Sequence, residues 1–120
     1  MPLDDLIRIR HMRDAASEAL SFTAGKTRSA LDSDRMLVLA IIKELEIIGE
    51  AASKVSSETR ERFAGIPWQD VVGMRNRLIH GYFDVDIDRV WDTVNIDLPE
   101  LLIMLDLVLV DAEKTDLLNG

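Results

Sequence analysis

The segment from Leu101 to Val110 is apolar at every position except Asp106, so a helix formed there is hydrophobic on almost all sides. Such a helix has to be covered by several neighbours, because water would otherwise meet its apolar surface. The segment is too short to span a membrane, which takes about 20 apolar residues. The rest of the chain also follows the helical period, without sustained two-residue alternation. These patterns predict an all-α fold.

Start and stop signals divide the chain into four main helices of an up-and-down bundle. Gly49, inside the second helix, costs about 1 kcal/mol relative to alanine and therefore indicates a close helix crossing. The last helix is expected to bend between Asn95 and Pro99. No repeat or linker divides the chain, so residues 1–120 are predicted to form a single domain. The predicted helices run from about Asp4 to Thr23, from a cap at Asp32 or Ser33 to about Val55, from Pro67 to about Leu78 or His80, and from a cap at Asp86 or Asp88 to about Glu113.

Apolar side chains also lie outside the main helical stripes. Leu39 and Ile47 lie beside the stripe of the second helix, and the last helix has more apolar surface than one bundle is expected to cover. Together these features predict a homodimer.

Composition excludes several classes of site. The chain has no cysteine, so it has neither disulfides nor a thiolate metal site. His11 and His80 are too far apart in sequence to form a local ligand pair, and no carboxylate-rich metal loop is present. We therefore predict no metal and no cofactor. Residues 1–13 lack the uninterrupted apolar region of a signal peptide, which predicts a cytoplasmic protein.

The net charge of −8 argues against a general nucleic-acid coat, because sequence-independent binding depends on Lys and Arg neutralising phosphates. RNA would have to be bound locally, and the candidate cations are Arg75, Arg77, Arg60 and Arg62. A basic cleft on an acidic protein and a site covered by a protein partner both fit this composition.

The third predicted helix carries an arginine among apolar residues. Arg75 lies in the middle of the stripe, where it either faces a cleft or reaches a structural carboxylate at the edge. Asn76 and His80 are one helical turn apart and can converge with it. Histidine can transfer protons near neutral pH, and arginine can hold phosphate oxygens, although a histidine in a last turn is also typical of a helix cap. The stripe consists of Trp68, Val71, Val72, Leu78 and Ile79.

Arg75, His80 and Tyr82 resemble the Arg-x4-His-x-Tyr motif of the HepT toxins, a branch of the HEPN superfamily of all-helical ribonucleases. The resemblance covers most of the chain except about the first thirty residues, and its landmarks follow the family's order. The other matching segments are residues 45–51, 66–68, 74–76, 82–86, 90–91 and 98–99.

The resemblance implies a metal-independent endoribonuclease toxin, in which the Arg/His motifs of two subunits line one cleft. At the matching positions, Arg75 is expected to stabilise the charge of the phosphorane and His80 to transfer a proton. Asn76 is expected to orient His80 or a phosphate oxygen, and Arg77 to contact RNA. Glu46 and Glu50 are both suited to pair with Arg75.

The resemblance also implies a two-gene toxin–antitoxin module. Its antitoxin is a minimal nucleotidyltransferase, which transfers AMP from ATP to the motif tyrosine, here Tyr82. The adenylate would exclude RNA and offset the charge of Arg75. Without the resemblance, Tyr82 fits a structural role equally well. The alternative function is that of a non-catalytic helical subunit that binds and regulates a nucleotidyltransferase.

Overall fold

Three long helices form the body of the protein, and α1 packs against both of the others, α3 and α7. The computed structural model describes residues 1–80 and 84–119, with side chains described as far as Lys114. This architecture confirms the predicted all-α bundle. The helices are α1 (Leu3–Thr23), α2 (Ala30–Ser33), α3 (Arg35–Ser53), α4 (Ser57–Arg62), α5 (Trp68–Gly73), α6 (Ile87–Asp92) and α7 (Leu98–Asn119).

Two irregular segments join the helices near the candidate site. A 3₁₀ helix, Arg75–Arg77, follows α5, and a π-helical turn, Thr93–Asp97, joins α6 to α7. The π turn falls where the bend was predicted. Pro99 has no N–H to donate to the Asn95 carbonyl, and its ring would crowd that carbonyl in a regular α-helix.

The predicted caps are partly right. The Asp86 carboxylate accepts a hydrogen bond from the Arg89 backbone N–H at 3.1 Å and begins α6, as predicted. The second long helix begins later than predicted, because its cap is Asp34, which accepts from the Leu37 N–H at 3.0 Å. Asp32 and Ser33 instead belong to the separate short helix α2.

The third helix is much shorter than predicted. It ends at Gly73 instead of Leu78 or His80. The Asp86 N–H donates to the Leu78 carbonyl at 2.8 Å and the His80 N–H donates to the Asp84 carbonyl at 2.7 Å. These bonds hold residues 78–80 beside residues 84–86 in an extended pairing, and Ile79 and Val85 form an antiparallel bridge. Long-range backbone pairing of this kind is not visible in a helical period.

Helix α7 buries one face and leaves another uncovered. Leu101, Leu105 and Val108 are in the core, together with the buried faces of α1 and α3. On the opposite face, Ile103 and Leu107 are more than 60% exposed. A single chain therefore does not cover this helix on all sides. No helix among the described residues is long and apolar enough to cross a membrane.

Gly49 brings α3 and α5 together, as the sequence predicted. A Cβ atom built on Gly49 would lie 3.1 Å from the Val72 carbonyl oxygen and 3.4 Å from the Val71 carbonyl oxygen. Both neighbours are backbone atoms and cannot rotate away. Because the 3₁₀ helix begins two residues after α5 ends, this contact also fixes where Arg75 lies relative to α3.

Two buried carboxyl groups lie where α1 contacts other helices, and their pKa values are shifted in opposite directions. Burial raises the pKa of Asp5, but hydrogen bonds from Ser56 and Thr59 outweigh it, so the pKa lies below its usual value. The Ser56 N–H donates to Asp5 Oδ1 at 3.0 Å and the Thr59 hydroxyl to Oδ2 at 2.6 Å, which joins α4 to α1. Burial, followed by the nearby Glu18 carboxyl, raises the pKa of Glu44 to about 7.

We expect Gly49→Ala to lower the free energy of unfolding by on the order of 1 kcal/mol, because α5 has to move away from α3. Gly73→Ala is the matched control, since nothing lies within 4 Å of its added Cβ. It should raise stability by up to about 1 kcal/mol through helix propensity. Denaturant unfolding of both variants measures this difference, and equal stabilisation by the two alanines would contradict the close crossing.

We expect the protein to lose stability as the pH rises from 5 to 8, because the folded state favours protonated Glu44. This contribution is fully present below the ordinary glutamate pKa of 4.5 and is lost as the pH rises through about 7. The loss should be about 1 to 3 kcal/mol, and Glu44→Gln should remove it. Exposed Glu113→Gln is the control. Identical pH dependence in wild type and Glu44→Gln would contradict this assignment.

Candidate active site

Arg75 lies at the edge of the core and not in the middle of a buried stripe. Its side chain is 42% exposed, because the buried stripe is centred on Val71, Met74 and Leu78. Val72, on the same side as Arg75, is 37% exposed. The Nε atom is 3.5 Å from Glu46 Oε1, close enough for charge attraction but outside hydrogen-bond geometry, and it has no hydrogen-bond partner among the described residues. Nη1 donates to Asn76 Oδ1 at 3.4 Å.

The structure distinguishes between the two carboxylates that were suited to pair with Arg75. Glu46 is the neighbour of Arg75, whereas Glu50 is paired with Lys54 one helical turn later, at 3.3 Å. The Arg75–Glu46 pair is partly exposed on both sides, so its contribution to stability is small. The guanidinium is therefore positioned by Glu46, and its Nη2 group has no hydrogen-bond partner among the described residues.

A cavity of about 480 Å³ opens beside Arg75 and Asn76. Helix α3 forms its floor, α1 forms one wall, and α5 with the 3₁₀ helix forms the other. We call it the α3 groove. Its polar side chains, besides Arg75 and Asn76, are Arg8, His11, Lys43, Glu46, Glu50, Ser53 and Lys54.

His80 lies apart from the α3 groove. Its side chain is 60% exposed, and Nε2 is 3.6 Å from Asp86 Oδ2. Asp86 thus has two roles, since its other carboxylate oxygen caps α6. The one-turn helical relation expected between Asn76 and His80 is absent, because Ile79 and the His80 backbone pair with residues 84–85. Within one chain, the structure brings together Arg75, Asn76 and Glu46, and separately His80 and Asp86.

The other predicted cations face away from the α3 groove. Arg77 donates to the Asp70 carboxylate at 3.3 Å and to the Asp70 carbonyl, and it lines a different cavity, of about 310 Å³, with Arg89 and Glu100. Arg60 donates to the Ala52 and Val55 carbonyls, and Arg62 pairs with Asp111 at 2.8 Å. These contacts hold all three arginines against neighbouring carbonyl or carboxylate groups.

Several residues of the site were not predicted from the sequence. Asp86 was expected only as a helix cap, and its six-residue separation from His80 was the only available signal. Arg8, His11 and Lys43 reach the α3 groove only because α1 packs beside α3. Tyr82 lies outside the described residues. Among the described side chains, those of residues 1–80 and 84–114, no three His, Cys, Asp or Glu are grouped closely enough to hold a metal ion.

An all-helical bundle with Arg75 just after α5 and His80 five residues later fits the HEPN superfamily. Within it, the chain belongs to the family described as "Ribonuclease HepT-like", whose model matches residues 12–108. No solved structure matches the chain significantly.

Three relatives agree with this membership. A "Putative RNase" of Methanocaldococcus jannaschii is 36% identical over 88 residues, which are 73% of this chain and 81% of the relative. A "Putative RNase" of Caldanaerobacter subterraneus is 43% identical over 68 residues, 57% of this chain and 61% of the relative. A "Probable ribonuclease HepT" of Thermococcus cleftensis is 41% identical over 68 residues, 57% and 62% of the two chains.

Proposed function

We propose that the protein is a metal-independent endoribonuclease of the HepT type, acting in the cytoplasm as the toxin of a toxin–antitoxin module. The observation that carries the proposal is the Arg75 guanidinium, which has a carboxylate neighbour but keeps donors free above a groove with basic walls. Membership of the HepT-like family and the RNase names of the relatives support the same activity.

In the proposed reaction the ribose 2′-hydroxyl attacks the adjacent phosphorus. His80 accepts the hydroxyl proton and a phosphorane forms. The bond to the 5′-oxygen then breaks, that oxygen takes up a proton from water, and a 2′,3′-cyclic phosphate and a 5′-hydroxyl remain. Asp86 Oδ2 lies 3.6 Å from His80 Nε2, where it can orient the imidazole. Arg75 stabilises the charge that develops on the equatorial oxygens.

Asn76 fits the role of a phosphate donor better than that of a partner for His80. Its Oδ1 accepts from Arg75, which leaves the Nδ2 amide hydrogens directed to other acceptors. The Asn76 amide and the Arg75 guanidinium together offer neighbouring donors to one phosphate group. Arg77, on the far side of the 3₁₀ helix, is proposed only as an auxiliary contact to the RNA strand.

The proposal requires two copies of the chain. Arg75 and His80 do not line one cavity in a single chain, so we propose that a homodimer forms a shared cleft from two motifs. Met36 is 83% exposed and Leu39 is 49% exposed, and both lie on α3 one to two turns before the α3 groove. Packing of this surface against a second copy would bury apolar area and close the groove from the side.

We further propose that a minimal nucleotidyltransferase antitoxin silences the enzyme by transferring AMP to Tyr82. The transfer joins the tyrosine oxygen to the α-phosphorus of ATP and releases pyrophosphate. Tyr82 follows His80, the proposed proton-transfer group, by two residues in the sequence. The His80 N–H donates to the Asp84 carbonyl at 2.7 Å. The added phosphate and adenine would compete with RNA for the cleft.

We expect wild-type cleavage of RNA to survive chelation and to leave cyclic-phosphate ends. His80→Ala and Arg75→Ala should each lower the rate about 10²-fold or more, since each removes a proton-transfer group or a charge stabiliser. Exposed Arg35→Ala is the control. Cleavage abolished by chelator and restored by magnesium would contradict this mechanism. If the wild-type protein does not cleave total RNA, this result would favour the alternative function, a non-catalytic subunit that binds a nucleotidyltransferase.

We expect Leu39→Glu to shift the protein from dimer to monomer and to lower cleavage, because it places a charge in the apolar α3 surface. Ile103→Glu tests the other uncovered apolar face, that of α7: with the interface on α3, this 63% exposed position should change neither mass nor cleavage. Light scattering at micromolar concentration measures the mass. A monomeric wild type, or a dimer disrupted by Ile103→Glu alone, would remove the shared cleft.

We expect the cognate nucleotidyltransferase with ATP and magnesium to add adenylate to wild type and to abolish its cleavage. Tyr82→Phe should remain active and escape inhibition, because only the acceptor oxygen is lost. Intact-mass measurement gives the result directly. Equal adenylate on wild type and Tyr82→Phe would place the acceptor on another residue.

A further inference from the structure

The α3 groove has the opposite charge to the chain that contains it. Four basic residues line it, Arg8, Lys43, Lys54 and Arg75, but only two acidic ones, Glu46 and Glu50. The whole chain, by contrast, has a net charge of −8. A local excess of positive charge on an acidic protein attracts polyanions to that one surface and repels them elsewhere.

The basic side chains are spread across the groove. Arg8 is on the α1 wall, Lys43 on the α3 floor, and Arg75 on the wall formed after α5. Packed helices have axes about 8–10 Å apart, so α1 and α5, on the two sides of α3, are separated by up to about 20 Å. Arg8 and Arg75 therefore enter the groove from opposite sides of α3, and a ligand that contacts both has to cross this helix.

The Arg8 and Lys43 side chains have no hydrogen-bond or ion-pair partner among the described residues. Arginines on other faces are used differently: Arg13 pairs with Asp106 at 2.9 Å, and Arg28 with Asp88 at 2.6 Å. The Arg8 guanidinium and the Lys43 ammonium are thus available to an external anion, whereas Lys54 and Arg75 in the groove, and several cations elsewhere, have carboxylate neighbours.

We propose that Arg8 and Lys43 bind backbone phosphates of a single RNA strand, which crosses α3 from Arg75 towards α1. The inference rests on the proposed ribonuclease function and adds the direction of the substrate to it. Lysine and arginine contacts to phosphate are independent of base sequence, so these residues set affinity and register and leave the choice of base to other groups. The Glu50 carboxylate, which pairs with Lys54, lowers the positive charge of the same groove.

Binding of a non-cleavable oligoribonucleotide with 2′-O-methyl groups tests this path without the chemistry. Fluorescence anisotropy over a range of salt concentrations would compare wild type with the double variant Arg8→Ala, Lys43→Ala. The matched control is Arg10→Ala, Lys26→Ala, which removes the same charge from exposed positions outside the groove. Thermal melting shows that both variants are folded.

We expect the groove variant to bind about tenfold more weakly or worse, and its log–log salt slope to fall by about 1.4, or 0.7 for each lost phosphate contact. The control should bind like wild type. In cleavage assays the groove variant should raise KM more than it lowers kcat. Equal weakening by the groove and control variants would overturn the path, and so would a wild type that does not bind RNA.

A second variant pair tests the sign of the effect. Glu50→Gln removes a negative charge from the groove and frees Lys54, so binding should become tighter by about threefold, the size of a modest exposed charge interaction. Exposed Glu61→Gln should leave binding unchanged. Failure of Glu50→Gln to differ from Glu61→Gln would count against the path.

The outcomes separate this inference from the proposed function. RNA binding that depends on Arg8 and Lys43 but is never followed by cleavage would support the phosphate path and reject the nuclease. Cleavage that needs Arg75 and His80 but is indifferent to Arg8 and Lys43, together with unchanged binding, would support the nuclease and reject the path.

Discussion

The close approach of α5 to α3 at Gly49 is the contact on which the candidate site depends. A Cβ at this position would come within 3.1 Å of a backbone carbonyl, so no other residue permits the same separation. The approach carries the end of α5, and the 3₁₀ helix after it, to the surface of α3. Arg75 consequently lies beside Glu46, one turn before Gly49 on the same helix.

Some of the basic side chains form structural ion pairs, and others line the candidate site. Most of the ion pairs lie between exposed groups and contribute little to stability individually, but they neutralise arginines that would otherwise attract anions to other surfaces. In the α3 groove, Lys54 and Arg75 each have a carboxylate neighbour, whereas Arg8 and Lys43 have none among the described residues. An acidic protein can in this way offer RNA one attractive surface, consistent with local binding instead of a general coat.

The sequence predicted the features that depend on local chemistry. The helical period, the Asp86 cap, the irregular turn before Pro99 and the tight crossing at Gly49 each follow from residues close together in the chain. The features that were missed depend on distant partners. Leu78 and Ile79 fit a helix by their apolar pattern, but backbone bonds to residues 84–86 draw them out of it.

The same limit applies to the candidate site. The Arg-x4-His spacing drew attention to Arg75 and to its neighbour Asn76, whose Oδ1 is 3.4 Å from Arg75 Nη1. It could not show that His80 lies beside Asp86 outside the α3 groove. The spacing also could not indicate Arg8 or Lys43, because these residues line the same groove as Arg75 only when α1 and α5 pack on opposite sides of α3. Residue types suggest the chemistry, whereas tertiary packing decides which groups share a volume.

Weak pairing of Arg75 is consistent with a functional role more than with a stabilising one. A structural arginine gains most from well-aligned hydrogen bonds to a carboxylate or to carbonyl groups, as Arg60 has with Ala52 and Val55. Arg75 has only a long contact to Glu46 and one to Asn76, and its Nε lacks a hydrogen-bond partner among the described residues. Glu46 therefore orients the guanidinium without a hydrogen bond to it, and the positive charge stays partly exposed beside the α3 groove.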